Sequence, residues 1–274
     1  MYNNDGTLSR NFLGVSNIPL KNNKQIIIGN ERVLRARLSD ARFFFNNDIK
    51  KGLTKLSENL KNIIFHRSLG SMEDKINRMT SNILKYSKYF NSDSKLTLKA
   101  AMLCKADLCS EVVYEMPELQ GKIGGIYATK NNMPEEVSIA IKEQYSPLGP
   151  SDKCPSIPEA SLLSFSDKID SLIGFIAMDM KATGSKDPFG LRRSCLGVIR
   201  ILLENKIRVS IDEVIDDSYD SFKKYNINLK LSKLETNKYA TEFIYERLRV
   251  FLRDKGLSQS VIQAIFGVSK YKDI

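Results

Sequence analysis

Three features of the 274-residue sequence predict a mainly α-helical fold. Apolar residues recur at three- and four-residue intervals through most of the chain, serine and acidic residues precede those runs at cap spacing, and prolines fall where helices would begin. The N-terminal region reads differently: "FLGVSNIPL" and "KQIIIGN" predict two short strands joined by a polar turn.

Helices follow in order. In residues 50–66, Leu53, Leu56, Leu60, Ile63 and Ile64 keep helical spacing. Ser71 and Asp74 form a capping-box pattern that opens a helix through Ile76, Met79 and Ile83. Ser94 is placed to cap the next, whose apolar positions include Leu98, Met102, Leu108 and Val112, with Pro117 at its end. Pro134, Pro158 and Pro188 each suit the first turn of a helix, where a missing N–H removes no hydrogen bond. The last helices are expected at about residues 210–222 and 236–255, with another from Ser258. No internal repeat or low-complexity linker is visible.

A hydrophobic fraction of 42% is that of an ordinary globular chain, and no apolar run has the length of a membrane span. The start, "MYNNDGTLSRNF", lacks the basic-then-apolar pattern of a signal peptide. Cys104, Cys109, Cys154 and Cys195 lack C-x-x-C spacing, which fits a reduced, cytoplasmic protein better than a disulfide framework or a zinc site.

The net charge of +10 is unevenly placed. Residues 50–105 carry twelve Lys/Arg against four acids, residues 106–180 five against twelve, and residues 181–208 seven against two. Such alternation predicts a basic surface suited to phosphates and a separate acidic region. The second basic block holds "GSKDPFGLRRSCLGVIRILLEN", with Lys186, Arg192, Arg193 and Arg200. With Pro188 opening the helix, its N-terminus is expected to favour an anion. Arg193 and Arg200, seven apart, would share a face opposite Leu191, Cys195, Val198, Ile199 and Leu202. The alternative is that Lys186 and Asp187 form a local ion pair and that Arg192 and Arg193 pair with the acidic 106–180 region.

Catalytic patterns are sparse. His66 is the only histidine and no G-x-S-x-G elbow is present, so a Ser-His-Asp triad has little support. "GKIGGIYA" lacks the Lys-Ser/Thr of a phosphate-binding P-loop, and its glycines are expected to serve backbone geometry. Asp167 and Asp170 lie three apart on one helix and Asp107 lies in "CKADL". They could face a metal, but capping, or salt bridges to Lys105 and Lys168, is the favoured role.

The stretches "GSKDPFGLRRSCLGVIRILLEN", "LCKADLCSEVVYEMPELQGKIGGIYA" and "FSDKIDSLIGFIAM" together resemble the β subunit of the bacterial two-subunit glycyl-tRNA synthetases. The likeness continues upstream through "VSNIPLKNNKQIIIGNERVLRARLSDARFFFNNDIKKGL" and "FHRSLGSMEDKINRM", in order over nearly the whole chain. It implies a fragment of a longer protein. Residues 1–44 would be the tail of a preceding domain, residues 45–225 a helical domain of the HD-phosphohydrolase type, and residues 226–274 a linker and the opening of a C-terminal anticodon-binding helical domain. In that family the α subunit forms glycyl-adenylate with ATP and Mg²⁺, and the β subunit supplies most tRNA(Gly) recognition in an α2β2 assembly. The resemblance therefore implies no cofactor on this chain, with Lys186, Arg192, Arg193 and Arg200 as candidate tRNA contacts.

It also implies a degenerate hydrolase site. Ala106-Asp107 stands where the His-Asp pair of an HD motif would be. His66, Asp107, Asp167 and Asp170 remain, but one imidazole does not complete a histidine-rich metal set. Three readings stay open: a tRNA-binding and assembly portion of glycine–tRNA ligase, a metal-dependent HD phosphohydrolase, and a scaffold that does not touch RNA.

Overall fold

The computed structural model describes residues 2–3, 5–17, 23–182 and 187–267. The chain forms two compact units, residues 1–43 and 44–274. The second unit carries helices on both sides of residue 226.

The expected strand at "KQIIIGN" is helical: α1 runs from Lys24 to Lys51. Among the described residues no strand is available to pair with it. Residues 11–17 form no strand, and the remainder of "FLGVSNIPL" lies outside the described residues. An isolated strand leaves its N–H and C=O groups unpaired, whereas a helix satisfies them within the segment and extends cheaply once started.

Gly52, at φ +77°, ends α1. The expected helix over residues 50–66 is therefore broken into α2 (Leu53–Ser57), a 3₁₀ turn at Leu60–Asn62, and β1 (Ile64–His66), which pairs antiparallel with β2 (Gly70–Ser71). Leu53, Leu56 and Leu60 are buried as their spacing predicts, but Ile64 is exposed. Helix α3 (Met72–Phe90) opens on the predicted capping box, Ser71 N–H donating to Asp74 Oδ2 at 2.8 Å and Asp74 N–H to Ser71 Oγ at 3.2 Å.

Asp93, one residue earlier than expected, caps α4 (Ser94–Leu103). That helix stops well before Pro117. A second start intervenes, because Ser110 Oγ accepts from Val113 N–H at 3.1 Å and the buried Asp48 carboxylate accepts from Glu111 and Val112 N–H, both at 3.1 Å. These bonds begin the short α5 (Glu111–Glu115). Next come α6 (Lys122–Lys130), α7 (Glu135–Glu143, directly after Pro134) and α8 (Pro158–Ala177). Helix α9 (Leu191–Glu204) starts three residues after Pro188, which occupies a turn instead. Ser210 caps α10 (Ile211–Lys224), a second capping box at Ser232 and Glu235 opens α11 (Lys233–Asp254), and α12 is Gln259–Gly267.

Helix α8 is the axis of the second unit, packed against α3, α4, α7, α9, α10 and α11. Every residue from Glu159 to Asp170 is buried. A helix enclosed on all sides must be apolar or must bring partners for each polar group it carries. No helix among the described residues is long and apolar enough to cross a membrane.

Candidate functional site

Asp167, Lys168 and Asp170 sit in the enclosed stretch of α8, where an unpaired charge would be strongly destabilising. Helix α3 supplies two cations three residues apart. Arg78 grips Asp170 with two bonds, Nε to Oδ1 at 2.7 Å and Nη2 to Oδ2 at 3.1 Å. Its remaining nitrogen donates to the Leu69 carbonyl at 3.0 Å, and the guanidinium lies 4.4 Å from the centre of the Phe222 ring. Lys75 Nζ donates to Asp170 Oδ2 at 3.1 Å, Ser171 Oγ at 2.8 Å and the Asp167 carbonyl at 3.0 Å.

Lys105, next to the end of α4, completes the cluster. Its Nζ is 3.0 Å from Asp167 Oδ1 and 4.0 Å from the centre of the Tyr145 ring. Burial acts to raise the Asp167 pKa, but Lys105, Lys75 and Lys168 together hold it well below the usual carboxylate range. Lys168 donates to the Tyr145 carbonyl at 2.8 Å, and burial pushes its ammonium down to about 8. Gly197 on α9 makes room for it: a Cβ there would lie 2.5 Å from Lys168 Cε.

The folded Asp167 pKa lies below the ~3.9 of an unfolded aspartate, so its ion pairs stabilise the fold fully above about pH 4. That contribution is lost as pH falls towards the folded value. Asp167→Asn is expected to lower stability at neutral pH and to flatten the acid limb. Urea denaturation between about pH 3 and pH 6 reads both effects.

Asp107 is fully buried and acts as a cap. Its Oδ2 accepts from Gly121 N–H at 2.6 Å and Gly124 N–H at 3.2 Å, closing the N-terminus of α6. Burial raises its pKa against the pull of these bonds and of Lys105. The glycines of "GKIGGIYA" have the backbone role expected of them: Gly121 is at φ +79°, and a Cβ on Gly124 would lie 2.9 Å from Asp107 Oδ2. Asp107→Ala should destabilise the protein by about 1–3 kcal/mol by leaving those N–H groups unpaired, with Asp107→Asn recovering part of it by thermal melt.

His66 stands on β1 with its ring edge against Phe175 and Phe189, at centroid distances of 5.4 and 5.8 Å, and its Nδ1 accepts from Ser68 N–H at 3.2 Å. Among the described residues no group of three or more His, Cys, Asp or Glu side chains could hold a metal. The donor set does not fit one. Asp167 and Asp170 are already faced by Lys75, Arg78 and Lys105, and a divalent cation would add charge where cations exceed carboxylates.

The basic segment is built differently from its sequence reading. The anion at the α9 N-terminus is its own Asp187, whose Oδ1 accepts from Leu191 N–H at 2.8 Å and Oδ2 from Arg192 N–H at 3.0 Å. Asp187 to Gly190 forms the preceding turn, with Pro188 in its second position. Leu191, Cys195, Val198, Ile199 and Leu202 are buried as expected.

The arginines diverge. Arg193 is exposed, its guanidinium folded over Gly190, and Arg192 is half-buried. Arg200 is only 7% exposed; its Nη1 donates to the Gly149 carbonyl at 2.8 Å and its Nε to Glu204 Oε1 at 2.8 Å. Helical phase puts Arg193 and Arg200 on one face, but the 149 loop covers the second of them. Lys186 lies outside the described residues.

Lys75 and Arg78 are the contributors that sequence reasoning missed. Their signal was phase: they share the spacing of Met79, Asn82 and Tyr86, which face the core.

The family model described as glycyl-tRNA synthetase beta subunit matches residues 1–267. Similar proteins include the glycine–tRNA ligase beta subunits of Ruegeria sp. (39% identical over 269 residues), Syntrophomonas wolfei (40% over 266) and Buchnera aphidicola (43% over 257). These alignments cover 96%, 96% and 93% of this chain and 37%, 38% and 36% of those proteins. The chain thus spans little more than a third of the length of the relatives it matches. A family match across nearly all of its residues, in a helical fold, settles membership: the chain belongs to the glycyl-tRNA synthetase beta subunit family.

Proposed function

We propose that this chain is a tRNA-binding and assembly portion of a glycine–tRNA ligase, acting beside an α subunit in the cytoplasm. The carrying observation is the family match over residues 1–267. In this reading the enzyme attaches glycine to tRNA(Gly) with ATP and Mg²⁺ on the α subunit, in an α2β2 assembly. The second unit is an HD-phosphohydrolase-type helical domain whose metal chemistry is replaced by the buried cluster of lysines, Arg78 and carboxylates. Arg193, with Arg192 and Lys186 from the same segment, supplies RNA phosphate contacts, while Arg200 braces the fold.

The test is a glycylation assay with purified tRNA(Gly), the chain alone and the chain mixed with an α subunit, together with co-elution of the three. The expected result is co-elution with no glycyl-tRNA formed by the chain alone. Glycylation by the chain alone, or failure to associate with both α subunit and tRNA, contradicts the proposal. A parallel prediction separates it from the hydrolase reading. Elemental analysis should find no stoichiometric transition metal, and added Mn²⁺ or Mg²⁺ should support no phosphatase turnover. Bound metal with turnover would return Asp107, Asp167 and Asp170 to catalytic roles.

A further inference from the structure

A cavity of about 210 Å³ opens beside the buried charge cluster, walled by Lys168, Arg193, Ser194, Ser171, Tyr145 and Phe189. We propose that it is a site for a single phosphoryl group, and that the group it takes is a phosphodiester of bound RNA.

The charge balance carries the argument. Among the described residues Lys75, Arg78, Lys105 and Lys168 lie together with Asp167 and Asp170 between them and Asp107 acting on Lys105, which leaves one cation in excess. Asp167 also borders the cavity, but its carboxylate is held between Lys105 at 3.0 Å and Lys75 at 3.4 Å. Among the described residues Lys168 has no carboxylate within ion-pair distance; its Nζ is bonded to the Tyr145 carbonyl. A surplus of buried cations is stabilised by an anion brought from outside.

Shape and chemistry narrow the class. Arg193 at the rim offers a guanidinium fork, Lys168 an ammonium and Ser194 a hydroxyl, donors suited to tetrahedral phosphate oxygens. The volume is below the ~300 Å³ at which ligand pockets for whole small molecules begin, a size suited to a single phosphoryl group. Phe189, stacked on Phe175 with centroids 4.2 Å apart and planes 15° apart, gives a rigid aromatic wall beside it.

The RNA source rests on the tRNA-binding reading; the phosphoryl chemistry rests on the cavity alone. The test uses the 274-residue chain, its Lys168→Met variant and Ser194→Asp, which sets a negative charge at the cavity wall. Thermal melts in inorganic phosphate against chloride at equal ionic strength read the chemistry. Affinity for tRNA(Gly), with and without phosphate as competitor, reads the source. Expected are a melting temperature raised by phosphate in the wild type but in neither variant, tRNA affinity weakened about tenfold in both, and competition by phosphate. Wild-type tRNA affinity retained by both variants, with no phosphate effect, overturns the inference and leaves tRNA binding intact. Phosphate protection without tRNA competition overturns the RNA source and assigns the cavity to a free phosphate compound.

Discussion

Asp170→Ala is expected to lower stability by about 3–5 kcal/mol, the range for removing one partner of a buried ion pair. For a unit of this size that is a fall of about 6–20 °C in melting temperature, or failure to fold. Asp170 is fully buried and accepts three bonds, two from Arg78 and one from Lys75. Its removal strands Arg78 inside the protein and leaves Lys75 with the Asp167 carboxylate alone. The size of the loss therefore reflects the abandoned charges more than the bonds themselves. The double variant Arg78→Met/Asp170→Leu removes one cation with the carboxylate, and it should recover much of the loss. Equal instability of the single and double variants would show that packing against Leu69 and Phe222, not charge pairing, dominates here.

Arg200→Ala should cost about 2 kcal/mol without changing how tRNA binding responds to salt. Its guanidinium ties α9 to the 149 loop through the Gly149 carbonyl and pairs with Glu204 on the same helix. Truncation leaves that carbonyl unbonded and removes the buried aliphatic stem. A lowered melting temperature with an unchanged slope of log affinity against log salt is the expected pattern. An unchanged melt with a shallower slope would make Arg200 a phosphate contact and require the 149 loop to move aside.

How much of this was legible in the sequence depended on the range of the interactions. The capping box at Ser71 and Asp74 is a local reciprocal bond and could be read from spacing alone. So could the apolar face of α9, since five residues at helical intervals specify one stripe. The Ile26–Ile28 run was misread because β-branched residues favour a strand only when another strand is present to pair with.

The site was harder. Asp107 looks like a possible ligand in "CKADL", and its capping role depends on Gly121 and Gly124 arriving from the next helix. Arg193 and Arg200 have the same helical phase, yet a loop some fifty residues earlier buries one of them. The pairing of Lys105 with Asp167 was among the expected alternatives, whereas Lys75 and Arg78 carry only the core-facing phase of α3 as a local signal. Only the enclosure of α8 turns them into obligatory counter-ions.

The central claim is that this helical unit holds RNA by its basic surface. A salt titration of tRNA(Gly) binding, wild type against Arg193→Ala, tests it most directly. Log affinity is expected to fall linearly with log salt in the wild type, with the slope shallower by about 0.7–0.9 in the variant and the melting temperature unchanged. Undetectable binding at low salt, or a slope identical in both proteins, would contradict it.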